Sequence, residues 1–315
     1  MLHEKHNSKI DSNPLVSVVM CTYNGEIFLP LQLDTIINQS YTNLEIIIVD
    51  DCSADKTKNI VDAYRAKDRR IKFYSNETNL GYNKNFEKAC TIATGEYIAI
   101  CDQDDVWALH KIETMLSTWN DNSIFIYSLS RDFWGDKPIT EEENKPIRYY
   151  EGNMPEKLCF DSPIHGHACM FKRTLLAQAI PFPANAYYDW WLSMIASSVD
   201  KVSCIKKTLT YHRLQGNNSS REILDIKQKD ERTAKLRQVC LNHMNAFLNS
   251  SFAKDSSKTI IEKYRNLLQS KHNNKFSWKL FVFFFTNREI TFHYKRNRNI
   301  FSLLKNSFKR AFTGL

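Results

Sequence analysis

Apolar runs and helix-patterned stretches alternate along residues 16–101. Val16 to Met20 is a β-branched run bounded by Pro14 and by Tyr23-Asn24-Gly25, which predicts a strand closing in a turn. Phe28 to Asn38 has apolar residues at 29, 33, 36 and 37, the spacing of one helix face. Leu44 to Val49 is almost unbroken apolar sequence and stops at Asp50-Asp51. Asp55 to Ala66 returns to the helical pattern, with Ser53 or Asp55 available as its cap. Ile71 to Tyr74 predicts a third strand, followed by an Asn79-Leu80-Gly81 turn and a helix to about Thr91. Gly95 closes that helix, and Tyr97 to Cys101 predicts a fourth strand. Strands and helices alternating in this way pair in parallel through right-handed crossovers. The expected fold is a doubly wound α/β domain, a Rossmann-like and mostly parallel sheet flanked by helices.

After about residue 120 the pattern is mixed. Ile124 to Leu129 predicts a strand, and Asp136 to Tyr150 a polar, acid-rich loop. Lys172 to Ala179 and Trp190 to Ser197 read as helices, the second preceded by Tyr187-Tyr188-Asp189. Val202 to Ile205 and Leu209 to His212 read as short strands. From Ile223 to Leu268 the apolar spacing favours helices, and there is no internal repeat.

The fourth strand runs straight into Asp102-Gln103-Asp104-Asp105. Open α/β sheets bind ligands at the carboxyl ends of their strands. Clustered carboxylates there offer hard oxygen ligands to Mg²⁺ or Mn²⁺, which fill their remaining positions with water and substrate phosphates. An acidic turn after a strand is the alternative. The turn after the first strand, Cys21 to Gly25, has one glycine, and no G-x-x-x-x-G-K-[ST] occurs, so dinucleotide and P-loop chemistry are disfavoured.

The 315 residues are ample for a large core, and 43% hydrophobic with 25% charged residues describes a globular chain. The net charge of +8 lies in the tail: from Lys271 onward there are ten Lys/Arg against one acid, Glu289. Eight cysteines form no C-x-x-C pair and several sit in strand-like runs, which favours buried free thiols in a reducing compartment over disulfides or zinc. Met1 to Pro14 lacks the apolar core of a signal peptide, and no run reaches the ~20 apolar residues of a membrane span, so the expected location is cytoplasmic.

Val16-Ser17-Val18-Val19-Met20-Cys21-Thr22-Tyr23-Asn24, Ile48-Val49-Asp50-Asp51-Cys52-Ser53, Asn79-Leu80-Gly81 and Asp102-Gln103-Asp104-Asp105, in this order and spacing, resemble glycosyltransferase family two over residues 15–215. The likeness is greatest to bacterial members that attach rhamnose and similar sugars to surface polysaccharides. It implies a GT-A fold, a nucleotide-diphosphate-sugar donor, a divalent metal (Mn²⁺ or Mg²⁺) and inverting transfer. By the same resemblance Tyr23 packs on the base, Asp51 accepts from its ring N–H, and Cys21 and Thr22 lend backbone contacts, with Asn24 beside them. A core tyrosine and a helix-capping aspartate are the alternatives. Asn79, Gly81 and Lys84 resemble the segment that closes over base and diphosphate. Asp102 and Asp104 match the D-x-D motif, the first holding ribose and Asp104 the metal, with Gln103 between them and Asp105 able to share either role.

Asp189 matches the family's base position, taking the acceptor hydroxyl's proton, unless it is an ordinary helix cap. Tyr188 stands where relatives often carry Glu. Trp190 and Trp191 offer rings for sugar stacking, at least one of them being core. Ser162 to Met170 resembles the loop beneath acceptor and donor sugar, where Gly166 permits close backbone approach and His165 or His167 reaches a hydroxyl. His212 is matched to a metal ligand and Arg213 to a diphosphate clamp. The Q-x-x-R-W signature of processive synthases is absent, which favours transfer of a single sugar.

These readings divide the chain into a polar tail (1–14), a GT-A domain (15–220) and a helical, basic-aromatic extension (221–315). Basic residues interleaved with aromatics suit nucleic acid or an anionic membrane. Beside a sugar-transfer domain, a lipid-linked glycan acceptor at the cytoplasmic leaflet explains them better than nucleic acid does. A helix packed on the catalytic domain is the plain alternative. The expected activity is transfer of one hexose or deoxyhexose from a UDP- or dTDP-sugar to a surface-glycan intermediate such as O-antigen or capsule. The rivals are a sugar-nucleotide nucleotidyltransferase, which usually opens with a glycine-rich loop missing here, and a non-catalytic nucleotide-sugar-binding module.

Overall fold

The computed structural model describes residues 13–119, 122–135, 148–214, 223, 226–253, 255–271, 273–294 and 299–315. In chain order the elements are β1 (Val16–Thr22), α1 (Leu29–Ile37), β2 (Leu44–Asp50), α2 (Thr57–Arg65), β3 (Ile71–Ser75), α3 (Tyr82–Ile92), β4 (Tyr97–Cys101), β5 (Val106–Trp107), α4 (Lys111–Ser117), β6 (Ser123–Trp134), α5 (Pro155–Leu158), β7 (Cys169–Lys172), α6 (Leu176–Ala179), α7 (Tyr188–Val199), β8 (Lys201–Leu214), α8 (Lys229–Leu248), α9 (Asp255–Gln269), α10 (Trp278–Thr286), α11 (Arg288–Thr291) and α12 (Ile300–Thr313). The chain forms two compact units. One comprises Met1–Arg131, Gly166–Ile180 and Ser203–His212; the other comprises Asp132–His165, Pro181–Val202 and Arg213–Leu315.

The first unit is built on an eight-stranded sheet in the order β3-β2-β1-β4-β7-β6-β8-β5. Its first half is the expected parallel array: β1 pairs with β2 and β4, and β2 with β3. β2 and β4 are buried at every position and β1 at all but Cys21, as befits strands covered on both faces. The amino ends are pinned by Glu45. Its carboxylate accepts from Ser17 Oγ (2.5 Å), the Thr94 N–H (2.6 Å) and Lys72 Nζ (2.6 Å). Burial alone would raise the Glu45 pKa, but these donors bring it down to about 2. Gly95 is needed here for close approach: a Cβ would lie 2.7 Å from the Leu15 carbonyl oxygen and 2.8 Å from Ser17 N.

The second half adds antiparallel strands to this Rossmann-like array. β7 runs antiparallel to β4 and β6, and β5 antiparallel to β8, so the sheet is mixed. The helix expected from Lys172 begins as strand, since Cys169–Lys172 forms β7 and only Leu176–Ala179 is α-helical. The two short strands expected over 202–212 are one strand of 14 residues. α2 opens at Thr57, not Asp55; the Asp55 carboxylate accepts the Thr57 N–H at 2.9 Å. Most of the expected 136–150 loop lies outside the described residues.

The second unit contains α5 and α7 to α12. The helices expected over 223–268 are α8 and α9. Tyr264 centres the core: its ring lies 4.8 Å from Phe160 and 5.6 Å from Phe283, and its hydroxyl donates to the Gly314 carbonyl at 2.6 Å. All eight cysteines are free. Among the described residues no helix is long and apolar enough to cross a membrane.

Candidate functional site

Side chains lace together the loops that leave β1 and β2. Thr22 Oγ1 donates to Asp50 Oδ1 (2.8 Å), and Asp50 also accepts from Ser53 N (2.9 Å). Asn24 N donates to Ser53 Oγ (2.9 Å), and Asn24 Oδ1 accepts from Ala54 N (2.9 Å). Gly25 N donates to Thr57 Oγ1 (2.8 Å). Asn24 and Cys52 are held at φ of +47° and +67°, a left-handed conformation that costs a non-glycine residue roughly 1–2 kcal/mol. Gln103 crosses from the acidic segment and pairs with Tyr23 in both directions, accepting the Tyr23 N–H (2.9 Å) and donating to its carbonyl (3.1 Å). Tyr23 is 50% exposed, so it is no core tyrosine. Cys21, half-buried, and Thr22, buried, complete β1; the Thr22 carbonyl accepts the Asp51 N–H (2.8 Å).

Asp51 is 4% exposed and caps no helix. Its Oδ1 accepts from Asn76 Nδ2 and Leu80 N, both at 2.8 Å, and its Oδ2 from Gly81 N at 2.9 Å. Asn76 Nδ2 also donates to Asn85 Oδ1 (2.9 Å), and Asn85 Nδ2 to the Val49 carbonyl (2.9 Å). Asp51 therefore holds the 79–81 turn against the end of β2. Gly81 sits at φ +79°, which only glycine adopts without strain. Asn79 is exposed, with Oδ1 accepting the Gly81 N–H (3.0 Å), and Lys84 is exposed in the first turn of α3. The buried Asn76–Asn85 pair escaped sequence reading, because polar residues after a strand and inside a helix carry no periodic signal.

The acidic segment meets two histidines through strand register. Antiparallel pairing of Val106 with Tyr211 and Trp107 with Thr210, continued one step, sets Asp105 against His212. β4 pairs with β7 as far as Ala99–Met170, and the 3₁₀ turn that leads into β7 brings His167 beside Asp102. One ligand atom from each of Asp105, His167 and His212 lies within 4.8 Å of the others. His167 Nδ1 is 3.4 Å from Oδ2 of both Asp102 and Asp105, and its ring stacks on His212 at 4.9 Å. Its Nε2 is 2.8 Å from Ser130 Oγ. A proton on Nε2, donated to Ser130, leaves the Nδ1 lone pair facing the acids, as in metal-bound histidines.

This candidate cluster differs from the ligand set expected from the sequence: it contains Asp105 and His212 together with His167, which the resemblance had placed in the sugar loop, and does not contain Asp104. The reason is that Asp105 leads directly into β5 and is wholly buried beside β8, whereas Asp104, one residue earlier, is half-buried. One carboxylate and two imidazoles fit a divalent ion. Two nitrogen donors suit a transition ion such as Mn²⁺ better than Mg²⁺, which demands a near-ideal oxygen octahedron.

Lys111 lies behind the cluster, fully buried. Its Nζ donates to the His167 carbonyl (2.7 Å) and to Thr210 Oγ1 (2.9 Å) and sits 3.5 Å from the Trp107 ring centroid. Burial pushes its pKa down to about 7. Gly166, also buried, opens the 3₁₀ turn Gly166–Ala168 that carries His167.

The remaining expected residues belong to the second unit. Asp189 is the second residue of α7, half-buried, and accepts the Trp190 N–H (2.7 Å); Tyr187 occupies the N-cap position instead. The Tyr187 N–H donates to His243 Nε2 (3.1 Å), whose pKa burial lowers to about 4, keeping it a neutral acceptor. Trp190 and Trp191 are both buried, at 7% and 5% exposure, so neither presents a face for sugar stacking. Arg213 is 2% exposed; its guanidinium covers the Phe133 ring (4.5 Å) and donates to the Gly135 carbonyl (2.7 Å). His165 is exposed.

Residues 17–179, just over half the chain, match the model of glycosyl transferase family 2. The chain belongs to that family. It is accordingly a glycosyltransferase enzyme with a GT-A-type fold. It is 30% identical over 235 residues to an uncharacterized glycosyltransferase of Haemophilus influenzae, a match covering 67% of this chain and 69% of the relative. It is 28% identical over 223 residues to an Escherichia coli protein named UDP-Glc:alpha-D-GlcNAc-diphosphoundecaprenol beta-1,3-glucosyltransferase, covering 68% of this chain and 83% of that one. The fold is similar to that of S. aureus TarS residues 1–349 solved with UDP-GlcNAc (TM-score 0.60, 20% identity, 94% of this chain and 81% of TarS covered).

Proposed function

We propose that this family-2 enzyme is an inverting, metal-dependent transferase moving a single hexose or deoxyhexose from a UDP- or dTDP-linked donor to a hydroxyl of a lipid-linked surface-glycan intermediate, such as an O-antigen or capsule precursor. It would work at the inner face of the cell membrane, with its catalytic part in residues 15–220 and a helical extension in 221–315. The convergence of Asp105, His167 and His212 behind β4 carries this reading, because β1 and β2 of the same sheet present Tyr23 and Asp51. The name of the E. coli relative, with its UDP donor and diphosphoundecaprenol-linked acceptor, favours UDP over dTDP and a lipid-linked acceptor.

In this reading the Tyr23 ring packs on the base while Gln103 fixes its backbone. Asp51 Oδ2 accepts one N–H, from Gly81, and a carboxylate oxygen accommodates a second donor, so the base N–H would be received there. Asn79, Gly81 and Lys84 close over the diphosphate, with Cys21, Thr22 and Asn24 shaping the floor. Asp102 holds ribose and Asp104 stands ready for the donor sugar's hydroxyls. A divalent ion held by Asp105, His167 and His212 would neutralise the charge that develops on the departing diphosphate. Asp189 takes the proton of the acceptor hydroxyl, and Gly166 lets a sugar approach the backbone. Arg213 serves as a diphosphate clamp only if it leaves Phe133.

The test is transfer and slow donor hydrolysis by the purified protein across a panel of UDP- and dTDP-sugars, with Mn²⁺ and with chelator. Asp189→Asn is expected to lower the rate at least about 10²-fold while nucleotide affinity is retained. Full activity in that variant would remove Asp189 from its role, and metal-independent activity would refute the mechanism.

A further inference from the structure

The outer faces of α10 and α12 carry large apolar side chains that a water-facing surface does not ordinarily show. Phe301 is 80% exposed, Trp278 71%, Val282 53% and Phe308 51%. On α12 the residues Phe301, Lys305, Phe308 and Phe312, spaced by four, three and four, form one exposed stripe, while Leu303, Ser307 and Ala311 form the buried one. On α10 Trp278 and Val282 make the matching outer row, with Leu280, Phe283 and Phe284 turned inward.

Phe276 joins the two helices: its ring lies 5.1 Å from Trp278, 5.0 Å from Phe308 and 5.4 Å from Phe312. Lys275, Lys279, Lys305 and Lys309 are exposed around this aromatic surface, and neither α10 nor α12 contains an acid. A contiguous apolar patch rimmed by charge of one sign has the chemistry of an anionic lipid interface, where rings settle at the headgroup–acyl boundary and lysines meet the headgroups.

We propose that this α10/α12 face docks the enzyme on an anionic membrane surface, with Trp278, Phe301, Phe308 and Phe312 inserted and Lys275, Lys279, Lys305 and Lys309 on phosphate headgroups. The proposal refines the lipid-linked-acceptor reading by naming the surface that meets the bilayer. It stands on the second unit alone, and its binding step needs neither donor nor metal.

The experiment is flotation of the full chain with vesicles of phosphatidylcholine, alone or mixed with phosphatidylglycerol, without nucleotide. Binding to the mixed vesicles, a blue shift of tryptophan emission that Trp278→Phe abolishes, and release by salt are expected. Lys279→Glu combined with Lys305→Glu should weaken binding at least about tenfold, and Phe301→Ser with Phe308→Ser comparably. These side chains are exposed, so melting should be unchanged. If a variant nonetheless melts early, quenching of Trp278 by brominated lipid in the native protein decides. The proposal is overturned if the full chain leaves anionic vesicles unbound or binds uncharged ones equally. It is also overturned if Phe301→Ser abolishes self-association, which would assign the face to a second copy, or if RNA competes the protein off the vesicles. Transfer to a soluble acceptor, measured on the same preparations, separates the two readings: vesicle binding without transfer leaves the docking face standing, and transfer without binding leaves the enzyme.

Discussion

The two halves of the sheet deliver functional residues by different means. In the parallel half the two residues proposed to meet the base follow their strands at once, Tyr23 after β1 and Asp51 after β2, and are fixed by neighbouring loops through hydrogen bonds of 2.8–3.1 Å. In the antiparallel half the candidate metal donors stand at 105, 167 and 212, and meet only because β5 pairs with β8 and β7 with β4. The proposed donor contacts are thus encoded locally, and the candidate metal cluster by register. Substitutions in one half should leave the other's property largely untouched.

The largest expected effect is on the register-built cluster. Asp105→Asn or His212→Ala should lower Mn²⁺-dependent transfer at least about 10²-fold, while UDP affinity measured calorimetrically without metal stays within error. A parallel fall in UDP affinity would show that the halves are not separable. Lys111→Met probes the same cluster from behind. It removes the shorter of two donors to the His167 carbonyl, which keeps Thr210 Oγ1 at 3.3 Å, and the donor to Thr210 Oγ1, so urea unfolding should report a loss on the order of 1 kcal/mol. The Mn²⁺ midpoint should rise by roughly tenfold. An unchanged midpoint would reduce Lys111 to packing.

On the parallel side the prediction is one of stability. The Glu45 pKa is about 2 when folded, below its ordinary value of 4.5. Its contribution is therefore complete above pH 4.5 and lost as pH falls towards 2, worth on the order of 2 kcal/mol after allowing for the water around Lys72. Glu45→Gln should flatten acid unfolding over that window and leave the Mn²⁺ midpoint alone. The smallest effect belongs to Cys52, an exposed side chain at positive φ. Cys52→Gly removes the steric cost but adds unfolded-state freedom, for a net gain of about 1 kcal/mol or less by thermal melting.

The same contrast sets how much the sequence discloses. β1, β2 and β4 are near-continuous apolar runs, interrupted only by Ser17 and Glu45 and closed by turn chemistry, so their parallel pairing and the places of Tyr23 and Asp51 are legible in the sequence. β5 has two residues and β7 four, too few for periodicity, and without them nothing in the spacing links 105 to 212 or 102 to 167. His167 consequently reads as a sugar-loop residue and Asp104 as the ligand. The helical spacing of 223–268 is plain, but amphipathic spacing does not reveal which faces are covered. The exposed row on α12 emerges only once Leu303, Ser307 and Ala311 are seen to be buried.

The central claim is tested most directly by anomalous scattering from crystals of the protein grown with UDP and Mn²⁺. The account predicts a manganese peak bonded to the Asp105 carboxylate, His167 Nδ1 and His212. A peak held by Asp104 and Asp102, with both histidines outside bonding distance, would contradict it.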